Sequence, residues 1–379
     1  SGMTKRFHHS FLSATPGESV PRTFRLTSED TAADSALGAR LHAAKPVRLL
    51  DVPDRTALES ACVTEARRLL QEHGVIGVIA NRVGSASNIA RSLRAGLPAS
   101  EADVALLTGR MRPLDRDRVV GDLRPRIAAG RDRAAVSKKL IVVGTQSLEA
   151  GADFDFDALV TEAASLDALR QRFGRVDRLG AYRCAEGVII RDKSVKSDPV
   201  YDESATNTIA WLKEQIAPGT KRVDLGVMAL PAPPLDRTRD LMAPRATAPV
   251  LLPAYMDAWL QTSPRPAAVP DVSLWLHGPK AGPADVQVVW RSDLDDDILH
   301  DTERATAIVT AIAPSSLEAI SVPYGVARRW LAGGTAPEVS DVEGQALEDG
   351  NDERAASALV LKWNGSESRV IKGADLKPG

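Results

Sequence analysis

Between residues 47 and 192, short apolar runs alternate with longer stretches in which apolar residues recur every three or four positions. The stretches at 56–73, 85–97 and 113–129 predict helices, and the run at 74–80, which does not alternate with polar residues, predicts a strand buried on both faces. The apolar runs predict strands at 47–52, 74–80, 103–108, 140–144, 158–161 and 187–191. This alternation predicts an α/β fold, in which a parallel sheet carries helices on both faces.

The pattern changes outside this stretch, which divides the chain into four parts. Residues 1–46, with a strand at 7–12, are predicted to end a preceding domain and to connect it to the sheet domain at 47–217. Residues 218–270 are predicted to be an extended linker, because nine of the 24 prolines fall within 231–270. Residues 271–379 are predicted to form a smaller α+β domain. The remaining element predictions are a helix at 198–216, strands at 274–277 and 286–290, a helix at 315–331 and a mobile acidic loop at 341–354.

Composition and charge narrow the class of protein. The 48 basic and 50 acidic residues argue against a globally basic binder of nucleic acid, but they leave room for a local basic groove. No apolar run approaches the ~18 residues that a membrane span needs, so we expect no membrane partner. The two cysteines, Cys62 and Cys184, cannot form a disulfide framework, which fits a reducing, cytoplasmic location.

The block at 142–153 combines a buried strand with polar residues that can reach a ligand. The strand is expected to deliver Thr145 and a Gly–x–Asp turn to the carboxyl edge of the sheet, where open α/β sheets bind ligands. Thr145 could donate to a phosphate, and Gly151 would let the backbone approach a ligand closely. Asp153 could accept from a ribose hydroxyl or hold a basic neighbour.

A second block, at 171–178, carries two arginines. The spacing predicts a helix on which Gln171, Gly174, Arg175 and Arg178 share one face. A pair of guanidinium groups suits a polyphosphate, because each planar fork bonds two phosphate oxygens and stays charged. The structural alternative is that the two arginines form salt bridges with Asp167 and Asp177.

These blocks resemble the fifth and sixth motifs of superfamily 2 helicases. The pattern Q-x-x-G-R-x-x-R follows T-Q-S-L-E-A-G-A-D-F-D-F-D, and this form is most similar to the CRISPR-associated helicase–nuclease of type I systems. Ser13-Ala14-Thr15 resembles the third helicase motif and 79–83 the fourth. Residues 106–110 resemble the segment that touches the nucleic-acid backbone. The resemblance covers about residues 11–192 and implies that the sheet is the second RecA-like domain of a helicase.

The resemblance also implies a role for each matching residue. Arg175 and Arg178 would be catalytic and would reach the γ-phosphate of ATP across a cleft between two motor domains. Gly151, Asp153 and Gln171 would bind the nucleotide. Asn81, Arg82, Thr108, Arg110 and Thr145 would grip the backbone of single-stranded DNA, and Ser13 and Thr15 would couple hydrolysis to strand movement. Such a grip is expected to be independent of base sequence, because a motor steps over every base.

Two helicase motifs are absent from the sequence. It contains no G-x-x-x-x-G-K-[ST] phosphate loop and no Asp-Glu-x-His motif, so the β- and γ-phosphates and Mg²⁺ of ATP lack their usual ligands here. We therefore expect a C-terminal part of an ATP-dependent 3′-to-5′ DNA helicase of CRISPR type I defence, inactive as an ATPase on its own. Its expected partners are single-stranded DNA, an RNA-guided surveillance complex, and an N-terminal motor domain and nuclease domain outside this sequence.

The nuclease that this family carries would need several histidines and aspartates converging on metal ions. His300-Asp301 stands apart from the other five histidines, and the run from Asp293 to Asp297 is better suited to a helix N-terminus, so we expect no nuclease and no metal site. All six tryptophans follow residue 200 and are predicted mainly to pack a small core rather than to stack on bases.

Two other functions remain open from sequence. One is a different superfamily 2 helicase that acts on RNA or on branched DNA, against which the form of the 145–157 stretch argues. The other is a docking module that keeps the fold, hydrolyses no nucleotide and leaves the arginine pair without a ligand.

Overall fold

The computed structural model describes most of the chain. Its described residues are 27–134, 138–149, 153–183, 185–198, 200–244, 249–261, 263, 274–275, 285–334, 339, 341, 358–364 and 367–377. The strand expected at 7–12 and the site residues Ser13, Thr15 and Gly151 lie outside this set.

From residue 46 to residue 192 the strands and helices follow one another as the sequence pattern predicts, and further elements flank this part on both sides. The strands are β1 Pro46–Val52, β2 Val75–Ile79, β3 Ala102–Leu107, β4 Lys139–Gly144, β5 Ala158–Glu162, β6 Glu186–Asp192 and β7 Arg222–Asp224. The helices are α1 Ala36–Leu41, α2 Arg55–Leu70, α3 Val83–Gly96, α4 Pro113–Ile127, α5 Leu166–Phe173, α6 Ser204–Glu214, α7 Leu235–Leu241 and α8 Pro253–Trp259.

The seven strands form one sheet in the order β3-β4-β2-β5-β6-β1-β7. All pairings are parallel except that of β7, which runs antiparallel to β1. One core cluster contains Leu58 of α2 and Ile89 of α3, and the other contains Ile127, Phe173 and Trp211 of α4, α5 and α6. Helices therefore cover both faces of the sheet, and the predicted α/β fold is confirmed.

Strand β2 lies in the middle of the sheet, and its unbroken apolar sequence reflects that position. All five of its residues are buried, because β4 and β5 pair with its two edges while helices pack on both faces. Gly77 leaves room for an aromatic ring here, since a Cβ at this position would lie 2.9 Å from the Phe156 side chain. The absence of polar alternation is thus explained by burial on both faces.

The helix predicted at 198–216 is shorter than expected and begins at Ser204. Before it, the Asp198 carboxylate accepts hydrogen bonds from the backbone amides of Val200 and Tyr201, at 2.8 and 3.2 Å. An aspartate that bonds the backbone locally in this way favours a turn over a helix. The prediction is therefore wrong for residues 198–203.

The extended linker expected at 218–270 is also wrong in part. Strand β7 adds to the edge of the sheet, where Pro46 pairs with Asp224 and Arg48 with Arg222. Helix α7 packs Leu241, which is 1% exposed, into the core of the sheet domain. Prolines here mark helix starts as well as loops, since Pro253 begins α8. The domain boundaries themselves remain predictions.

The described part of the C-terminal region is α+β. Its strands are β8 Val286–Val288, β9 Ile320–Val322, β10 Leu359–Trp363 and β11 Ser368–Lys372, and its helices span Asp296–Leu299, Thr302–Ala311 and Tyr324–Leu331. The helix predicted at 315–331 is wrong in its first half, because β9 pairs with β8 and the helix begins only after Pro323. Leu274 and Trp275, predicted as the start of a strand, are helical. Among all described residues, no helix combines the length and apolar character needed to cross a membrane.

Gly144, at the end of β4, offers a test of this packing. A Cβ here would lie 2.4 Å from the Leu107 carbonyl oxygen, so Gly144→Ala should lower the free energy of unfolding by about 1–3 kcal/mol. Gly121, exposed on α4, is the matched control, since a Cβ there meets nothing within 4 Å. Gly121→Ala should raise the same quantity by ~0.5–1 kcal/mol, because alanine favours helix. Urea denaturation measures the change in the free energy of unfolding for each variant. Equal changes for the two variants would contradict the packing at β4.

Candidate functional site

Residues expected to contact nucleic acid follow three neighbouring strands of the sheet. Asn81 follows β2, Thr108 follows β3 and Thr145 follows β4, and these strands are adjacent in the order β3-β4-β2. Since the carboxyl ends of parallel strands meet at one edge, the three side chains converge there. We call this edge the strand-end surface; it comprises residues 81–82, 108–110 and 145–147.

Residues of the C-terminal region cover part of the strand-end surface. The Thr145 hydroxyl donates to the Asp341 carboxylate, and the Gly109 amide donates to the same oxygen at 2.8 Å. Arg110, whose side chain is only 7% exposed, forms a salt bridge with Asp285 and donates to the Ser321 carbonyl at 3.0 Å. Protein groups therefore occupy Thr145 and Arg110 in this structure.

Asn81 lies inside the protein rather than on its surface. It is 1% exposed, its amide nitrogen donates to the Ala163 carbonyl at 2.9 Å, and its backbone amide donates to Glu162 at 2.7 Å. In this structure protein groups hold the Asn81 side chain below the surface, so its expected contact with a strand stays a prediction. Arg82 follows it as the half-buried N-cap residue of α3.

Asn81 belongs to a buried network centred on Arg172. The Arg172 side chain is 0% exposed, and each of its N–H groups has a partner. Nε donates to Glu149 at 2.8 Å, one terminal nitrogen to the Thr161 hydroxyl at 2.7 Å and the Glu162 carbonyl at 2.9 Å, and the other to Asn81 and the Tyr201 hydroxyl, both at 2.9 Å. All five donors of the guanidinium are thus satisfied.

The charges of this network compensate one another. Burial works against the Arg172 cation, but Tyr201 and the Glu149 carboxylate outweigh it and raise the pKa of Arg172. Burial raises the pKa of the Glu162 carboxyl, which Arg55 and the Asn81 amide counteract. Burial likewise raises the pKa of Tyr201, whose hydroxyl therefore stays a neutral hydrogen-bonding group. The network holds one buried cation in a set of matched acceptors.

The helix that carries the second arginine block is shorter than its spacing predicts. Helix α5 ends at Phe173, Val176 forms a bridge to Phe156, and Asp177 adopts a φ of +42°. Arg175 and Arg178 consequently lie beyond the helix, and the prediction that they share one helical face with Gln171 is wrong. Gln171, near the end of α5, is half-buried.

Arg178 and Asp153 form an exposed ion pair. Arg178 Nε lies 3.3 Å from Asp153 Oδ1, with the two side chains 36% and 64% exposed. Arg175 lies nearby and donates to the Glu149 carbonyl at 2.8 Å. Burial, and then the positive charge of Arg178, lower the pKa of Arg175. Two guanidinium groups that repel each other form a site that favours an anion.

The structural alternative for the arginine pair finds no support in these contacts. Asp177 accepts from the backbone amides of Tyr182 and Arg183, at 2.9 and 3.2 Å. Asp167 accepts from the Ala243 amide at 3.0 Å. Both carboxylates therefore bond the backbone, and the partner of Arg178 is Asp153 instead.

Asp153 lies away from the strand-end surface, in contrast to the sequence expectation. Its carbonyl accepts from the amide of Ala129, just after α4. The Asp157 amide, a few residues on, donates to the carbonyl of Val75, the first residue of β2. The chain has thus returned to the amino ends of the strands, so Thr145 and Asp153 belong to two separate places.

The remaining acids of the D-F-D-F-D stretch are structural. Arg131 donates to Asp157 at 2.5 Å, and Arg133 bonds Asp157 at 2.9 Å and Asp155 at 2.8 Å. Asp155 is 0% exposed, and burial raises its pKa. Asp155 also accepts from the backbone amide of Arg178, at 2.9 Å, and this bond holds the backbone at Arg178 in place.

Sequence reasoning missed the residues that connect the strand-end surface with the arginine pair. Arg172 and Glu149 stand inside the motif blocks, but only the residues around them were assigned roles. Arg172 lies three residues after Leu169 and next to Phe173, so helical periodicity already places it on the apolar face. A charged residue in a core position signals a buried, fully paired group.

Other sequence assignments concern the acidic run and possible metal ligands. Asp295 caps a helix, with its side chain accepting from the Ile298 amide, as the acidic run predicted. Asp301 caps the next helix and accepts from the Arg304 amide. Within the described residues, one group of possible metal ligands occurs, formed by Glu72, His73 and Glu186. Glu186 already pairs there with Arg68 and Arg222.

Comparisons with known proteins match the sheet domain. Residues 72–181 match the family model described as CRISPR-associated nuclease/helicase Cas3, C-terminal, which confirms the resemblance. The CRISPR-associated nuclease/helicase Cas3 of Streptococcus thermophilus is 35% identical over 109 residues, covering 29% of this chain and 11% of the relative. The CRISPR-associated helicase Cas3 of Thermoproteus tenax is 36% identical over 104 residues, covering 27% and 16%. The chain thus spans between 11% and 16% of the length of these relatives.

Solved structures give a similar picture at lower identity. The ATP complex of T. fusca Cas3 matches with 18% identity and a TM-score of 0.40, over 52% of this chain and 24% of that chain. A CRISPR RNA-guided surveillance complex, described as pre-nicking, matches with 21% identity and a TM-score of 0.37, over 46% and 23%.

The contrast between Arg172 and Arg178 can be measured. Arg172→Met leaves Glu149 and Asn81 buried without their partner, so it should lower the free energy of unfolding by about 3–5 kcal/mol. Arg178→Met is the matched control and should change it by less than about 1 kcal/mol, because its ion pair is exposed. Arg172→Lys keeps the charge with fewer donors and should fall between them. Urea denaturation that finds equal shifts for the two methionine variants would contradict the assignment.

Proposed function

We propose, on the premise that residues 72–181 belong to the C-terminal helicase family of the CRISPR-associated Cas3 proteins, that this chain supplies one motor domain of an ATP-dependent helicase. In that enzyme it would translocate on single-stranded DNA in the 3′-to-5′ direction during CRISPR type I defence. The direction and the defence role follow from the family. Because the chain covers a small share of its relatives, the activity is a proposal about the whole enzyme.

The observation that carries this proposal is the pair of half-buried arginines, Arg175 and Arg178, of which Arg178 faces an exposed carboxylate. An ion pair as open as that of Arg178 with Asp153 contributes ~0–1 kcal/mol, so a phosphate can replace the carboxylate at little cost. Arg175 lies close to Arg178: burial, and after it the positive charge of Arg178, lower the pKa of Arg175. Two guanidinium groups at one place suit the terminal phosphate of ATP, where charge builds up during phosphoryl transfer.

Mg²⁺ would be held elsewhere in such an enzyme. The acids close to the arginine pair already have partners: Arg131 and Arg133 bond Asp155 and Asp157, and Asp177 accepts from two backbone amides. The donor set around Arg178 therefore fits a phosphate rather than a metal ion. ATP bound between two motor domains would supply the energy of each step, while Arg175 and Arg178 orient and stabilise its terminal phosphate.

The buried network can link this arginine pair to DNA. Glu149 accepts from Arg175 through its carbonyl and from Arg172 through its carboxylate. Arg172 in turn bonds Asn81, which follows β2 at the strand-end surface. In our proposal, movement of Arg175 towards a phosphate is transmitted through this chain of bonds. Thr145, with the amides of Gly109 and Ser147, would hold a DNA phosphate there.

The partners of the whole enzyme follow from the same premise. One relative has been solved in a CRISPR RNA-guided surveillance complex, which supports such a complex as a partner here. A further motor domain and a nuclease domain would complete the enzyme, and a cytoplasmic location fits the free thiol of Cys62.

Arg178→Ala tests the catalytic assignment in a full-length enzyme that contains this chain. We expect ATP turnover to fall by roughly 10³–10⁵-fold while nucleotide affinity changes little, because the charge acts on the transition state. Arg178→Lys should restore turnover only in part, since an ammonium lacks the planar, paired contact. DNA-stimulated ATP hydrolysis is the measurement.

The control for this experiment is Arg67→Ala, which removes an exposed guanidinium from α2. Its turnover should match the unmodified enzyme, and thermal melting should show that all variants are folded. Near-normal turnover in a folded Arg178→Ala enzyme would remove this residue from the catalytic assignment.

Binding of the chain to DNA should be indifferent to base sequence and should weaken steeply with salt. The assigned contacts are to phosphates, and none reads a base. Those assigned to the cationic side chains of Arg82 and Arg110 would release counterions on binding. Titration of two unrelated single strands at several salt concentrations measures both properties. A strong preference for one strand, with no dependence on salt, would argue against a translocating motor.

A further inference from the structure

Asp341 occupies a small anion site on the strand-end surface. Its Oδ2 accepts from the Gly109 amide at 2.8 Å, from the Ser147 amide at 3.3 Å and from the Thr145 hydroxyl. These donors come from the loops after β3 and β4, which are adjacent strands. A residue almost 200 positions away thus brings a negative charge to the ends of two strands.

The donors around Asp341 are the kind that bind phosphate. The site consists of backbone amides at strand ends and a threonine hydroxyl. These uncharged dipoles point to one place and favour an anion there, although the set contains no positively charged group. The other oxygen of Asp341, Oδ1, is buried and has no hydrogen-bond partner among the described residues. A phosphate, with more acceptor oxygens, can use the same donors at least as well.

Gly109 makes this approach possible. A Cβ at residue 109 would lie 2.8 Å from Cγ and 3.0 Å from Oδ2 of Asp341. The carboxylate therefore fills the space that a side chain would take, so only glycine lets an anion reach the amide this closely.

The neighbouring contact of Arg110 repeats the pattern. Arg110, next to Gly109 in the chain, pairs with Asp285 of the C-terminal region. The carbonyl of Val339 also accepts from the Val83 amide, at 2.8 Å, in the first turn of α3. Carboxylates and a carbonyl of the C-terminal region thus meet donors of residues 83, 109–110 and 145–147, where a strand backbone would place its phosphates.

We infer that Asp341 is an internal competitor of single-stranded nucleic acid: its carboxylate holds the anion site formed by Gly109, Thr145 and Ser147 until a backbone phosphate displaces it. The inference rests on the proposed function, because it takes the strand-end surface as the place where a strand binds. The apparent affinity for the strand is then the intrinsic affinity multiplied by the fraction of molecules in which the site is open.

The test compares Asp341→Ala with Asp257→Ala, which removes the same charge from an exposed position on α8. Affinity of the full chain for a fluorescent oligothymidylate is measured by anisotropy at two salt concentrations. Asp341→Ala should bind about three- to tenfold more tightly than the unmodified chain, as expected when the site is closed in most molecules. Asp257→Ala should show only the smaller, general effect of one lost negative charge.

Amide hydrogen exchange of the same proteins reads the contact without DNA. Exchange in residues 109 and 147 should speed up in Asp341→Ala and slow again when the oligothymidylate is added. Unchanged exchange in Asp341→Ala would overturn the contact.

The outcomes separate the inference from the proposed function. Faster exchange with an affinity equal to that of Asp257→Ala would overturn the competition and leave DNA binding by the chain intact. Absence of salt-dependent binding in every protein would overturn the competition together with the DNA-binding part of the proposed function.

Discussion

The site depends on the hydrogen bonds that the buried guanidinium of Arg172 donates. This guanidinium is fully buried, and its five donors bond Glu149, Thr161, Glu162, Asn81 and Tyr201, which come from four separate stretches of the chain. A buried cation is tolerated only when every donor is satisfied, so these partners hold one another in fixed positions. The loop after β4, the loop after β2 and helix α5 are thereby tied to one point.

The arginines of this chain fall into two classes that differ in burial. Arg131 and Arg133 donate to buried carboxylates and so hold the loop after α4 against the stretch before β5, while Arg172 ties the end of α5 to Glu149. Arg178 keeps about one-third of its side chain exposed beside Asp153, a carboxylate partner that is itself exposed. The structural arginines already bond Asp155 and Asp157, so these acids do not bury the Arg178 guanidinium.

The C-terminal region matters to the site through its acidic residues. Asp285 and Asp341 lie at donors of the sheet domain, so these contacts between the two parts of the chain are made by opposite charges and backbone dipoles. Another anion can replace such a contact at little cost in free energy, because the hydrogen bond or ion pair that forms is equivalent to the one that is lost. In the proposed enzyme, a bound strand and the C-terminal region would compete for the same donors.

Periodicity and motif spacing were enough to predict the parallel sheet and its resemblance to the helicase family. Continuous apolar runs such as 74–80 fixed the buried parallel strands, because only a strand covered on both faces lacks polar alternation, and the spacing of the motif blocks identified the helicase resemblance. Tertiary structure decided which motif residues are exposed. Asn81 and Arg178 both have polar side chains, but the first is enclosed by the Arg172 network and the second follows the end of α5. Local pattern cannot distinguish them, because burial depends on partners such as Glu149, Tyr201 and Asp341 that lie far away in the chain and are brought close only by folding.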